Sequence, residues 1–513
     1  MPRVPPQGSR QPFVRIYHLS PLPKATVENP AATRYPSRRA MSKPGLSIEA
    51  SQRAVPEVSL GGRLAGLSLS KQVAVLAFWP LLEQVLAFCV GFTDLLISGR
   101  IGDGHDRVAI LDAMGLGGYV GWFFNILQGA VATGVMALVS RATGARDSDL
   151  AKRGLGQGVW LGIAAGMMSL LILQLGIPLL IKGVGLSPEA ARHAEDFLRI
   201  LAITGPFSGA MFAINAALRG AGDTRTPFIG MCVVNVVNMI VSSLLALGPA
   251  PFGGHGVAGI ATGTLCGWIA GLLTVSLLLI RSSSPLGWSL AGLRPHWETM
   301  TRILRVGAPQ SLEIGCMWAI HAYGIHVIAT LPGEGNLGAH ILAIRVESMS
   351  FLPGWAIATA GAALVGQYLG AGSKEMAIRS VRLCWKVAAS LMGCIGILFI
   401  FGRDALIQLM APDSGHLQEV ASPLVLICAA AQPFFATCII LKTSMRGAGA
   451  TNVVMQWSFG SMIFYRIGVL WWFKDQPWFD LRVVWVVFSL DLITQALVFA
   501  WVHFRGKWLN ARV

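Results

Sequence analysis

The sequence LRGAGDT at residues 218–224 returns with two changes as MRGAGAT at residues 445–451, and each copy follows a long apolar segment. The two copies lie 227 residues apart in a chain of 513 residues. A second motif, ALV followed by GA, repeats with an offset of 226 residues, at 137–145 and at 363–371. A chain that repeats itself at half its length in apolar sequence predicts two homologous membrane bundles in tandem, an architecture typical of secondary transporters.

The composition supports a membrane protein built from helices. Only 13% of the residues are charged, about half the share expected of a soluble protein, and the mean hydropathy is +0.61. The apolar runs are continuous rather than alternating, which favours helices over a barrel of strands. None of the eight cysteines forms a CxxC pair, so we interpret them as packing residues rather than disulfide or metal ligands.

Twelve membrane-spanning helices can be drawn, six in each repeat. We expect an N-terminal lobe at 66–281, a cytoplasmic linker at 282–302 and a C-terminal lobe at 303–513. A looser repeated pair, Pro80 with Glu83 and Pro309 with Glu313, lies early in the first helix of each lobe. The predicted spans are 72–98, 110–138, 155–181, 194–217, 226–247, 256–280, 303–331, 338–366, 380–402, 420–443, 453–473 and 483–504.

The basic residues predict the orientation of these spans. With the N-terminus inside, the inner segments hold 30 Lys and Arg and the outer segments hold eight. This excess predicts that both termini are cytoplasmic. Arg345 and Arg466 are counted within spans, whereas basic residues close to a span end are counted with the adjoining segment: Arg199, Arg305, Arg382, Lys386 and Lys442. The sequence suggests Asp491 as the partner of Arg466.

Residues 1–65 differ from the remainder because they are rich in Pro, Arg and Ser. Eleven Lys and Arg up to Lys71, against three Glu, supply +8 of the net charge of +15. We expect this arm to be disordered. It is interpreted as a basic tail near anionic lipid, as an organellar transit peptide, or as an over-long start that precedes a true initiator at Met41.

In their order and spacing, the repeated motifs resemble those of the multidrug and toxic compound extrusion (MATE) family. PLLEQ at 80–84 with GFTD at 91–94 is similar to the family's first helix, and GVAGIAT at 256–262 is similar to the start of its sixth. RVES at 345–348 and FLPG at 351–354 are similar to its eighth helix. The resemblance covers residues 75–505. It implies two six-helix lobes around a central cavity that rock between inward-open and outward-open states, exchanging a proton or sodium ion for an amphipathic, often cationic, compound.

Asp94 is the first candidate for the coupling site, since it matches the carboxylate of the family's N-terminal lobe. Removal from water favours the neutral form of a carboxyl, so Asp94 would take up and release a proton. The alternative is a helix-end carboxylate near the outer interface, because Arg100 follows six residues later. Asn238 matches the same cluster, although a role in helix packing is equally open. The family often has an Asp four residues after this Asn, where this chain has Ser242.

Four residues in the second lobe are predicted to form a charge network or to line the substrate cavity: Glu313, His321, Arg345 and Glu347. We expect Arg345 to pair with Glu313 or with another acid across the helix interface, and such a fixed ion pair is the alternative to a cavity-lining, substrate-attracting or proton-relaying role. His321 is alternatively a packing residue. The repeated motifs with Arg219 and Arg446 are interpreted as tight loops with a structural role.

Several classes of function are disfavoured. The chain has no Walker motif and no GxGxxG between a strand and a helix, so no nucleotide cofactor is expected, and no haem or metal spacing appears. We therefore expect a monomeric transporter, not an enzyme, in a bacterial inner membrane. Its partners would be a small-molecule substrate and the lipid bilayer, without nucleic acid. A lipid-linked-precursor flippase and a non-transporting membrane receptor are the alternatives.

Overall fold

The computed structural model describes residues 60–249, 253–281, 286–412, 415–511 and 513, and these residues are almost entirely helical. The N-terminal lobe contains seven helices, counting both parts of one bent span. They are α1 (Leu69–Ser98), α2 (Gly104–Gly144), α3 (Ser148–Val184), α4 (Pro188–Ile203), α5 (Gly205–Gly220), α6 (Arg225–Leu247) and α7 (Gly256–Arg281). A short helix, α8 (Leu290–Leu293), precedes the second lobe.

The C-terminal lobe repeats this plan. Its helices are α9 (Trp297–Thr330), α10 (Asn336–Gly370), α11 (Lys374–Met410), α12 (Gly415–Gly447), α13 (Thr451–Met462), α14 (Leu470–Phe473) and α15 (Leu481–Arg505). A π-helix at Ile463–Val469 joins α13 to α14 within one span. The predicted all-α fold of two six-helix lobes is confirmed.

The predicted spans match these helices closely. Within the described residues, ten helices are long and apolar enough to cross a membrane, and the bent pair α4 and α5 makes an eleventh span. Helix α1 contains 30 residues and is about 45 Å long, which is sufficient for the twelfth. Large apolar side chains such as Leu175 and Phe401 are 81% and 86% exposed, as expected of surfaces that face lipid rather than water.

The fourth span is bent rather than straight. Helices α4 and α5 meet at an angle of 46° around Thr204. Pro206 lies in the first turn of α5, where its ring prevents an uninterrupted helix because it lacks an N–H and crowds the preceding turn.

The described part of the predicted linker is partly helical, and the end of the predicted disordered arm is packed. Helix α9 begins at Trp297, inside the predicted linker 282–302, and the preceding residues dock on α3 because Gln157 Nε2 donates to the carbonyl of Gly292 at 2.8 Å. Residues 1–59 of the predicted disordered arm lie outside the described residues. Leu60 and Leu64 are buried, so residues 60–65 form packed structure.

The hydrophobic clusters distinguish the two ends of the bundle. We call the end that carries Leu60 and Val513 the terminal end, and the opposite end the distal end. Two clusters at the terminal end contain residues of both lobes; in one of them Leu64 packs with Tyr368 of α10. The two distal clusters each belong to a single lobe. The lobes are therefore joined by packing at the terminal end.

Two glycines at equivalent positions of the repeats make a close backbone contact between the lobes. A Cβ at Gly144, the last residue of α2, would overlap the carbonyl oxygen of Gln367, and a Cβ at Gly370, the last residue of α10, would overlap that of Arg141. Gly144 and Gly370 are 226 residues apart, and so are Arg141 and Gln367, which is the offset of the repeat. This reciprocal contact brings the backbones of α2 and α10 together, which only glycine permits.

Candidate functional site

The N-terminal lobe holds a polar cluster around Asp94, between α1, α6 and α7. Asn238 Nδ2 lies 3.4 Å from Asp94 Oδ1 and 3.1 Å from Thr264 Oγ1. Asn238 is 1% exposed, so its amide is held among protein groups rather than in water. The structure brings together the two residues that the sequence predicted for this site, Asp94 and Asn238.

Thr264 and Ser242 complete this cluster. Ser242 Oγ lies 3.3 Å from Asn238 Nδ2 and donates to the Ile260 carbonyl at 3.2 Å. Ser242 therefore occupies the position where the family often has a second carboxylate, and Asp94 is the acidic residue of the cluster. Thr264 was not predicted, although it lies two residues after the motif at 256–262, and that proximity was the available signal.

The C-terminal lobe buries a charged triad on Glu313. Glu313 Oε2 accepts from Arg446 Nη2 at 2.8 Å, and Glu313 Oε1 lies 2.8 Å from Lys442 Nζ. The Glu313 side chain is 4% exposed. The predicted pairing of Glu313 with Arg345 is wrong, because Arg345 is exposed and makes no ion pair with any residue that the structure describes.

An equivalent pair exists in the N-terminal lobe. Glu83 Oε1 accepts from Arg219 Nη2 at 2.5 Å, so the arginine of each repeated motif binds the glutamate near the middle of the first helix of its own lobe. Arg219 and Arg446 were interpreted as loop residues, but they lie in the last turns of α5 and α12. The repeated motifs therefore tie helices together inside each lobe.

A polar chain continues from the triad through the C-terminal lobe. Lys442 Nζ donates to Gln495 Oε1 at 3.3 Å, and Gln495 Nε2 donates to Asp491 Oδ1 at 2.8 Å. Asp491 Oδ2 in turn accepts from Arg466 Nε at 2.6 Å. The predicted partnership of Arg466 and Asp491 is confirmed. Arg466 lies in the π-helix, a distortion that occurs frequently at functional sites.

Two of the remaining predicted residues of this lobe, His321 and Glu347, lie near Arg466. The His321 and His340 rings are 6.1 Å apart between centroids, and His340 Nδ1 accepts from Trp485 Nε1 at 3.2 Å. Glu347 lies within interaction range of the Cys428 thiol and of the Arg466 guanidinium. His321 and Glu347 are thus part of one polar region with Arg466, whereas Arg345 is outside it.

Comparison with known proteins assigns the chain to a family. The model of the MatE family matches residues 80–244 and 309–472, one segment in each lobe. The chain belongs to the MatE family. Its relatives include the probable multidrug resistance protein NorM of Thermotoga maritima, 27% identical over 86% of this chain and 93% of the relative. NorM of Rhizobium meliloti is 25% identical over 82% and 90%.

Solved structures of MATE proteins share the fold. A crystal structure of MATE in the bent conformation superposes with a TM-score of 0.79 at 19% identity, over 86% of this chain and 96% of that one. An outward-facing multidrug resistance MATE transporter of the MOP superfamily superposes with a TM-score of 0.77, over 87% and 98%. The match extends over both lobes of this MatE-family chain.

Proposed function

We propose that the chain is a multidrug efflux transporter that exports amphipathic, often cationic, compounds in exchange for a proton or a sodium ion. Family membership and the NorM relatives support this proposal. The single observation that carries the coupling part is the Asp94 cluster, in which a carboxylate inside a membrane lobe contacts Asn238. An intramembrane carboxylate is costly, and in transporters it commonly marks an ion or proton pathway.

Asp94 would act as the switch between two states of the N-terminal lobe. When it is charged, its oxygens accept hydrogen bonds from neighbours such as Asn238; when it is protonated, the charge is lost and one oxygen becomes a donor. This exchange changes how α1 binds to α6 and α7, and so biases the lobe between two arrangements. A single acid in the cluster, without an acidic partner at Ser242, favours a proton over a sodium ion as the coupling ion.

The second-lobe residues are proposed to shape the electrostatics of the cavity. Glu313 is paired with Lys442 and Arg446, which favours a fixed ion pair that stays charged throughout transport. His321 and Glu347, which lie near Arg466, and the exposed Arg345 would contact substrate. Both buried cations of the triad bind the carboxylate of Glu313, so they do not form the cluster of unpaired basic residues that would hold a lipid phosphate, which favours drug export over lipid flipping.

The charge asymmetry supports a bacterial inner-membrane protein whose terminal end faces the cytoplasm. Since the two lobes pack together at that end, the structure would correspond to the outward-open state of the cycle. The chain would work as a monomer, because both lobes and the cluster between α1, α6 and α7 belong to one chain.

Ethidium efflux from cells that express the wild type or Asp94→Asn tests this proposal. We expect the wild type to extrude the dye and the variant to lose nearly all coupled efflux. A proton uncoupler should stop export by the wild type, while replacement of sodium should not. Asp112→Asn, the same change at an exposed aspartate outside the cluster, serves as the matched control for expression and insertion.

Equal efflux by the wild type and Asp94→Asn would overturn the role of Asp94. Loss on sodium removal alone would assign sodium as the coupling ion. Failure of the wild type to move any cationic dye would contradict drug export, and transfer of a fluorescent lipid-linked pyrophosphate between leaflets by the same protein would then establish the flippase.

A further inference from the structure

The two lobes differ at one position beside the repeated arginine. Four residues before Arg446 lies Lys442, and four residues before Arg219 lies Asn215. Residues four apart on a helix share a face, so Lys442 and Asn215 occupy equivalent places next to the glutamate that the arginine binds. The repeat thus aligns a lysine in one lobe with an amide in the other.

In the C-terminal lobe, the Lys442 ammonium is held by two oxygen atoms and lies over the Phe499 ring. It lies 2.8 Å from Glu313 Oε1 and 3.3 Å from Gln495 Oε1. Together with Arg446, the ammonium uses both carboxylate oxygens of Glu313. The triad therefore carries one net positive charge, from two cations and one anion.

In the N-terminal lobe, the corresponding oxygens have no donor. Glu83 binds Arg219 through Oε1, while its buried Oε2 has no hydrogen-bond partner among the described residues, and neither does the buried Oδ1 of Asn215. Asn215 is 5% exposed. Buried oxygens are nearly always satisfied, and one left unpaired costs free energy. Their counterparts in the C-terminal lobe are satisfied by the Lys442 ammonium, which has no equivalent here because Asn215 stands at that position of the repeat.

We propose that the N-terminal lobe binds a monovalent cation between Glu83 Oε2 and Asn215 Oδ1, at the position that corresponds to the Lys442 ammonium. Carboxylate and amide oxygens are suitable ligands for an alkali ion and for a protonated amine. The pair of Glu83 and Arg219 is neutral, so one bound charge reproduces the net charge of the C-terminal triad. A divalent ion would exceed it.

This site is separate from the Asp94 cluster. Glu83 and Asp94 are eleven residues apart on α1, about three turns or roughly 16 Å along the helix axis. The inference depends on the repeat and on the unpaired oxygens, and it does not depend on which compound the protein transports. It adds a cation site on the terminal side of Asp94.

Thermal unfolding of the full chain in detergent micelles tests the proposal. The Asp94→Asn background removes any contribution from the Asp94 cluster. NaCl, KCl and methylammonium chloride are titrated against choline chloride at equal ionic strength, which separates alkali ions from a protonated amine. We expect at least one of the three salts to raise the melting temperature saturably, since a ligand at about 100 times its Kd stabilises the folded state measurably.

Two substitutions at one position make the test specific. Asn215→Lys installs the ammonium found in the other lobe, so it should abolish the salt-dependent rise and raise the melting temperature in choline chloride. Asn215→Leu removes the oxygen without adding a charge. It should therefore abolish the salt-dependent rise without raising the melting temperature in choline chloride. The reciprocal change, Lys442→Asn, should add a second saturable component to the salt-dependent rise in melting temperature.

The proposal is overturned if none of the three salts exceeds choline in the Asp94→Asn background. It is also overturned if Asn215→Lys and Asn215→Leu both retain the wild-type salt response. Neither result bears on dye export, which is measured separately in cells, so the two proposals can fail independently.

Discussion

At the scale of single residues, the C-terminal lobe depends on the pairing of buried charges. Glu313 is surrounded by Lys442 and Arg446, and Asp491 is bound by Arg466. Breaking one partner of a buried pair is costly because the remaining charge stays out of water. We therefore expect the triad to contribute more to stability than any exposed charge in the chain.

Glu313→Gln should destabilise the protein strongly. The substitution conserves shape but leaves two cations facing each other without an anion, and the expected loss is about 3–5 kcal/mol. Chemical or thermal unfolding in detergent measures it. Arg345→Gln is the control, and its exposed side chain should change stability by less than about 0.5 kcal/mol. Equal stability of the two variants would contradict the assignment of Glu313 to a buried triad.

The residues of the N-terminal site could be predicted, but those of the triad could not. Asp94 and Asn238 belong to family-like motifs, and so their proximity followed from the resemblance. The partner of Glu313 is 133 residues distant in sequence, and no pattern within α9 or α12 gives the register between the two helices. Lys442 was counted with a loop because it lies at the end of an apolar run.

At the scale of elements, the contact between α2 and α10 controls how closely the lobes can approach. Gly144 and Gly370 each lie against the backbone of the other lobe. Backbone cannot move aside as the end of a flexible side chain can. The terminal end can therefore close only while both positions lack a side chain.

Gly144→Ala and Gly370→Ala should disfavour the joined arrangement of the terminal end. Overpacking of this kind typically costs about 1–3 kcal/mol. Spin labels at the exposed positions Asp149 and Glu375, in a background lacking the eight native cysteines, report the distance between the lobes, and each variant should populate longer distances. Gly393→Ala is the control because a Cβ there meets nothing within 4 Å. Unchanged distances in the variants would show that the glycine contact does not govern closure.

The helices themselves could be predicted, but their distortions could not. Hydrophobic runs located every span, since a helix in lipid must be long and apolar. The bend between α4 and α5 had a local signal in Pro206, but its angle depends on the packing of both segments. The π-helix at Ile463–Val469 had no signal in the apolar pattern, because the partner of its Arg466 comes from another helix, α15.

At the scale of the whole molecule, the terminal segments of the chain connect the two lobes. Arg141 of α2 donates to the Ala511 carbonyl at 2.7 Å and to the Ala448 carbonyl at 3.3 Å, both in the C-terminal half of the chain. Trp508 packs in the same cluster as Leu64. The distal clusters are confined to single lobes. This asymmetry is what an alternating-access cycle requires, since one end can be open while the other is closed.

The central claim is that the two lobes exchange which end is closed. The most direct measurement uses two spin-label pairs in proteoliposomes, Asp149 with Glu375 at the terminal end and Glu189 with Asp475 at the distal end. With ethidium and an imposed proton gradient, we predict that the terminal pair gains longer distances while the distal pair gains shorter ones. Distances that stay unchanged at both ends, or that change in the same direction at both, would contradict the account.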